Sequence, residues 1–230
     1  MKILSVDLET TGLDATRHYV LSIGAVCPST HDHFHVEFAW KEMLVTPIAM
    51  QINQIDLRIK NPQAKSPQDA MELFEQWLGK NGIRGHEECR ILGKNPTGID
   101  RPMLAKLWDE YRAYLPAPVK FPFSHRTVDL NTLFAGIAEA NGLDTDKVRA
   151  EVGELAKRQL VQQVPDVAAL GQHHALNDAY WNIFAWRECL NRIRTPVATT
   201  KTISGPIHVV KEDGTTVLFD PALEDDNARE

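Results

Sequence analysis

Asp7 and Glu9 stand two residues apart in VDLETTGLD, at the end of an apolar, β-branched run that begins at Ile3. On a strand, residues i and i+2 project from one face, so the two carboxylates point the same way. Like charges held this close raise each other's pKa unless a positive charge lies between them, and a divalent cation with oxygen ligands supplies one. A solvated strand end carrying two acids without a ligand is the alternative. Two further acids lie beyond short structural runs: Asp100 in LGKNPTGIDRPML and Asp178 in GQHHALNDAYWNI, the latter close behind His173 and His174. Four carboxylates converging at the ends of adjacent strands could hold two cations about 3.5–4 Å apart, the arrangement that activates water and stabilises a leaving oxygen in phosphodiester cleavage. A histidine beside them, with an unperturbed pKa of about 6.5, suits the role of general base.

The elements that must position these groups are legible as patterns. KILSVDLE, RHYVLSIGAVCP (17–28) and HFHVEFAW (33–40) read as three successive strands, a meander. TPIAMQINQIDLRI (46–59) reads as a short helix and turn. SPQDAMELFEQWLGKNG reads as a helix capped by Ser66, with Pro67 in its first turn, Leu73, Phe74, Trp77 and Leu78 on one face, and Gly79 and Gly82 available to end it. RILG (90–93) is a short central strand, followed by a helix over RPMLAKLWDEYRAYL. PAPVKFPF is a stiff loop, HRTVDL leads into NTLFAGIAEANG, and DTDKVRAEVGELAKRQL is a polar, peripheral helix. A long helix covers HALNDAYWNIFAWRECLNRI, and GPIHVVKEDGTTVLFDP carries a hairpin signal around Asp213-Gly214. Strands alternating with helices after a meander indicate an α/β fold with a mixed sheet. The expected division is a main domain over 1–194 and a C-terminal hairpin with an acidic tail over 195–230.

Composition narrows the function. A net charge of -6 over 230 residues argues against broad duplex binding driven by counterion release, so any basic contact surface has to be local. No stretch approaches the roughly 18 apolar residues of a membrane span, and the N-terminus lacks a signal-peptide pattern. Cys27, Cys89 and Cys189 stand far apart with no CxxC pair, which points to a reducing, cytoplasmic setting rather than a disulfide framework or a zinc knuckle.

In VDLETTGLD, NPTGID and HHALND the sequence resembles the DEDDh-type 3'-5' exonucleases, the group that includes the proofreading subunit of bacterial replicative polymerase, ribonuclease T and oligoribonuclease. The order and spacing of the resemblance run from about Lys2 to Arg194, and TPIAMQINQI and HRTVDL fit its intermediate segments. The resemblance implies a ribonuclease H-like fold and two divalent cations, Mg²⁺ or Mn²⁺, held by Asp7, Glu9, Asp100 and Asp178. It implies that His173 is the base, since His173, Ala175 and Asp178 fill the H-x-A-x-x-D pattern. His174 is four residues from Asp178 and shares its face if the helix is continuous through both, so the choice between the two histidines depends on where the helix starts. Thr10 falls where the family meets the 3'-terminal nucleotide through its backbone. Leu13 falls where a hydrophobic side chain wedges against the terminal base, and plain packing is its alternative. Asn95 is near the polar residue that precedes the second acid, though five residues before it rather than four, and Ile99 stands where an aromatic is usual.

Single-stranded DNA or RNA is the substrate this implies, with DNA versus RNA left open, and a non-catalytic nucleic-acid-binding or scaffold protein on the same fold is the alternative. A hydrolase of the same fold cutting internally is a third reading. Two strands alone are marginal, so the hairpin is expected to dock on the body of the chain, on a homodimer mate or on another protein partner. His31, His33 and His35 alternate and could bind a metal; the simpler reading is the wet face of a hairpin with Phe34, Val36 and Phe38 inward. His125 and Arg126 could approach a phosphate or cap a loop. Asp129 caps the following helix in preference to acting as a fifth ligand, and Trp181 and Phe184 read as core.

Overall fold

The computed structural model describes residues 2–53, 55, 61–86, 88–115, 120–194, 207–210 and 216–219. The meander is present as β1 (Lys2–Thr10), β2 (Val20–Val26) and β3 (His33–Glu37), paired antiparallel. After α1 (Pro47–Asn53) and α2 (Pro67–Lys80), β4 (Cys89–Gly93) joins β1 in parallel. α3 (Asp100–Arg112) leads to the two-residue β5 (Val128–Asp129), parallel to β4. The sheet order is β3-β2-β1-β4-β5, so β1 is central and the sheet is mixed. α4 (Leu130–Asn141), α5 (Thr145–Gln163), the single turn α6 (Pro165–Ala168) and α7 (Ala175–Arg194) follow.

The period of two along β1 sorts its side chains into two layers. Leu4, Val6 and Leu8 enter a core built with Phe74, Trp77 and Leu78 of α2 and Leu104 and Trp108 of α3. The opposite face carries α7 across β1 and β2, with α4 and α5 packed on it in a second core. Helix α5 is polar by composition, yet Val148, Val152, Ala156 and Leu160 form a narrow buried stripe at helical spacing against α7. It is a structural layer rather than the peripheral helix its polarity suggests.

Local chemistry explains the boundaries. Ser66 Oγ accepts from Asp69 N–H, and Pro67 fills the first helical turn of α2. The face of α2 is rotated from the expected one: Ala70 and Met71 are buried, while Leu73 is exposed. Asp129 Oδ1 accepts from Asn131 N–H at 3.0 Å, which makes Asp129 the cap of α4. Gly142, at φ +62°, ends that helix in the left-handed conformation glycine adopts without cost.

Strand β2 begins three residues later than the pattern suggests, because Arg17 and His18 are held in a turn on the Asp14 carbonyl. β3 ends at Glu37, short of Trp40, whose indole N–H donates to Val20 O at 2.7 Å. The histidine face of β3 is wet only in part: His33 is exposed, with its Nδ1 3.0 Å from the Tyr180 hydroxyl of α7, whereas His35 is half-buried against His174, the ring centroids 4.4 Å apart and the planes tilted. Phe34, Val36 and Phe38 point inward as expected.

The chain divides into two compact units, Met1–Thr195 and Pro196–Glu230. In the second, β6 (Ile207–Val210) and β7 (Thr216–Phe219) form an antiparallel pair, with Ile207 opposite Phe219. Residues 54 and 56–60 of the segment after α1, and 116–119 of the Pro-rich loop, lie outside the described residues.

One glycine permits the layer that matters most. A Cβ on Gly24 would lie 2.2 Å from the Ala175 carbonyl, so the first turn of α7 rests directly on β2. Gly24→Ala is expected to lower unfolding free energy by about 1–3 kcal/mol or more, measured by urea denaturation, because backbone rather than a movable side chain must shift.

Candidate active site

Pairing between β1 and β4 ends at Ser5 and Leu92, and β1 continues beyond it with Asp7 opposite Gly24 and Glu9 opposite Ser22 of β2. The acids therefore lie at the carboxyl end of the parallel strands, the end at which α/β sheets bind ligands. The close seat of α7 on Gly24, opposite Asp7, brings Asp178 of its first turn to the same place. Asp7, Glu9 and Asp178 each offer an oxygen, and these atoms lie within 4.8 Å of one another. Asp100, the first residue of α3, arrives from the other helical layer, and its carboxyl accepts from its own backbone N–H and that of Leu8.

Electrostatics marks these acids as one group. Burial, then Asp100, Asp178 and Glu9, hold the Asp7 carboxyl well above the usual range. Burial, then Asp178 and Asp100, push Glu9 up to about 8. Burial pushes Asp100 up to about 7 despite its two backbone donors, and it also raises Asp178, against the pull of Lys94 and the two histidines. All the donors are oxygens, and each is costly to ionise without a counter-charge. That is the donor set of a hard divalent cation, so the residues fit one.

The histidines separate clearly. α7 starts at Ala175, so both precede it, and a shared helix face with Asp178 does not arise for His174. His174 is occupied elsewhere: its ring lies on His35, its carbonyl accepts from Asp178 N–H at 3.0 Å, and its buried Nδ1 has no partner. His173 adopts φ +62°, unusual for a residue with a Cβ, and both its charge and its backbone N–H act on the Asp178 carboxyl.

The loop after Glu9 is pinned on both sides. Thr11 N–H donates to Tyr19 O at 2.9 Å, and Thr46 N–H donates to Thr11 O at 2.8 Å. Asn53 Nδ2 donates to Thr10 O at 2.7 Å, and the Thr10 hydroxyl donates to Gly12 O. Gly12 packs on the His18 ring, only 2.6 Å from where a Cβ would stand. Leu13 is 72% exposed and packs into neither hydrophobic core. Ile48 and Ile52 of α1 are exposed as well.

Asn95 has φ +53°, its N–H donates to Asp129 Oδ1 at 2.9 Å, and its amide lies so close to Gly98 that a Cβ there would meet it at 2.6 Å. Arg126 is exposed, with its N–H on Ser124 Oγ. The alternating histidines of β3 contribute no three-ligand cluster among the described residues.

Lys94 was not singled out by motif or spacing. It directly follows β4, next to Asn95, and its charge lowers both Asp7 and Asp178. A basic residue immediately after a central strand and ahead of an acid-bearing helix is the only local signal that could have found it.

No protein-family model matches the sequence, and no curated protein matches it. Solved structures do resemble it. The zinc-ion-bound complex of E. coli exonuclease I with single-stranded DNA superposes with a TM-score of 0.54 at 15% identity, covering 85% of this chain and 41% of that one. The apo form of exonuclease I gives 0.53 at 16% identity. Cell-death related nuclease 4 gives 0.50 at 16% identity, covering 83% of this chain and 64% of that one. The chain thus spans about two fifths of the exonuclease I it matches, and the shared architecture is the ribonuclease H-like α/β fold of these nucleases.

The raised carboxyls make a pH prediction for the metal-free protein. In the unfolded chain Glu9 ionises near 4.5, whereas folded it keeps its proton to about 8. The folded state therefore binds more protons across that window, and stability falls as pH rises through it. Thermal melts in EDTA should show a lower midpoint at pH 8 than at pH 5. Glu9→Gln should flatten the difference, and millimolar Mg²⁺ should raise the midpoint more at pH 8.

Proposed function

We propose that the chain is a metal-dependent 3'-5' exonuclease that removes nucleoside monophosphates from the 3' end of single-stranded DNA or RNA. One observation carries this reading: four carboxyl groups from three separate elements, Glu9 and Asp100 buried and Asp7 and Asp178 half-buried, act on one another at the carboxyl end of the sheet. The likeness to exonuclease I in complexes with single-stranded DNA and with dT13 and dA16 oligonucleotides supports the choice of substrate.

Asp7, Glu9, Asp100 and Asp178 would hold two cations, Mg²⁺ or Mn²⁺. When bound, these supply Lewis acidity for the attacking water and neutralise charge on the leaving oxygen. His173 accepts the proton of that water at its imidazole, oriented by the left-handed turn that sets it ahead of Asp178. The backbone at Thr10 and the exposed side chain of Leu13 receive the terminal nucleotide, the first through a loop fixed by Tyr19, Thr46 and Asn53, the second as a wedge against the base. Asn95 lines the opposite loop. The widely spaced free thiols of Cys27, Cys89 and Cys189 suit a reducing cytoplasm. The β6–β7 pair, marginal alone, suits docking on a second copy or another protein.

Asp7→Ala and Asp178→Asn should each cut cleavage by about 10³-fold or more, roughly 4 kcal/mol of transition-state stabilisation. Circular dichroism should show both variants folded. Matched 3'- and 5'-labelled oligonucleotides in Mg²⁺ should give a mononucleotide from the 3' end and a descending ladder from the 5' label. Internal products of the first cut, or full activity in EDTA or in either variant, would sink this reading.

A further inference from the structure

Lys94 is exposed beside a cluster of acids, yet among the described residues it forms no ion pair. Its ammonium lies instead 4.0 Å from the centre of the Trp181 ring. Trp181 is three residues beyond Asp178 on α7, and its indole N–H donates to Gly153 O of α5 at 3.3 Å, so the ring is held from both helices. The charge of Lys94 lowers both Asp7 and Asp178, so it stands within electrostatic reach of the acids while its head rests on the indole, exposed to an anion from outside.

The topology gives that anion a direction. β1 lies between β2 and β4. The Thr10–Leu13 loop is tied to Tyr19 just ahead of β2, whereas Lys94 stands at the end of β4 on the other flank of the acids. A strand whose 3' end rests on Thr10 and Leu13 passes over the acids towards Lys94. A chain of net charge -6 with an acid-lined site repels a polyanion, and a cation at this position offsets the repulsion where the strand enters.

We propose that Lys94, held by Trp181, is a substrate-contacting residue that grips a phosphodiester oxygen on the 5' side of the scissile bond. The inference rests on the nuclease reading above and adds a residue that reading does not need. It makes Trp181 a positioning residue, acting through Lys94.

The test uses the full chain with Lys94→Met, Lys94→Arg, Trp181→Leu and the Trp181→Leu/Lys94→Met double variant. Binding of a fluorescently labelled oligo(dT) is followed by anisotropy in EDTA across a salt series, and cleavage of the same strand is followed in Mg²⁺. Lys94→Met should weaken binding about tenfold and reduce the slope of log K against log salt by about 0.7, the share of one single-strand phosphate. The loss in cleavage should fall mainly on KM, and Lys94→Arg should restore the slope. By calorimetry, Trp181→Leu should weaken Mg²⁺ binding, because the released ammonium reaches the acids, and adding Lys94→Met should reverse that loss. An unchanged salt slope in Lys94→Met, beside a wild type that binds and cleaves, overturns the role of Lys94 and leaves the nuclease reading standing. A wild type that neither binds nor cleaves the strand overturns both.

Discussion

Like charges buried together at the end of a central strand are the constraint around which this molecule is arranged. Asp7 and Glu9 share the face of β1 that looks towards α7, and each is raised by burial and by the acids brought in from α3 and α7. Folding without a counter-cation must therefore keep protons on groups that ionise freely in the unfolded chain, which costs stability at neutral pH. The rest of the main unit opposes that cost. Two hydrophobic cores, one on each face of the sheet, clamp the strand that carries the acids. The site is held together by apolar packing behind it rather than by attraction within it.

Close backbone approach makes this possible. Asp178 reaches Asp7 because the first turn of α7 lies on Gly24, directly across the ladder from Asp7. Asp100 reaches the same point because α3 starts there and the Leu8 N–H donates to its carboxyl. Neither arrangement relies on a long side chain. Short carboxylates on rigid element ends keep the oxygen positions narrowly defined, which a metal centre requires.

The acids, the meander and most helices were legible because each has a local cause: alternation in β1, the Ser66 cap, the stop at Gly142, the apolar spacing in α7. What was not legible depended on neighbours distant in sequence. The histidines of β3 have the alternation of a wet strand face, and only the arrival of α7 and the turn before it sets Tyr180 against the exposed His33 and His174 against His35. Leu73 lies within an arc that α2 could bury, yet the sheet takes the neighbouring arc through Ala70 and Met71. The polarity of α5 hid a one-residue-wide stripe sufficient to pack on α7. No local pattern marks Lys94, because its setting comes from Trp181, far along the chain on α7.

Two backbone conformations link these threads. Asn95 and His173 are both left-handed, and each stands five residues before an acid at the start of a helix, 100 − 95 and 178 − 173. Non-glycine residues in this conformation cost of order 1–3 kcal/mol. The cost is met by different means in the two turns. Asn95 is held by Asp129, the same carboxylate that caps α4. The turn at His173 is held through its neighbour, whose ring lies tilted against His35 of β3 and whose carbonyl accepts from Asp178 N–H. In both turns a reversed residue bends the chain so that a helix can begin at the end of β1 with its acid facing inward. The strain at these turns and the repulsion among the acids are thus parts of one arrangement: the chain accepts unfavourable backbone at two points to bring together charges that repel, a repulsion that a divalent cation between them would relieve.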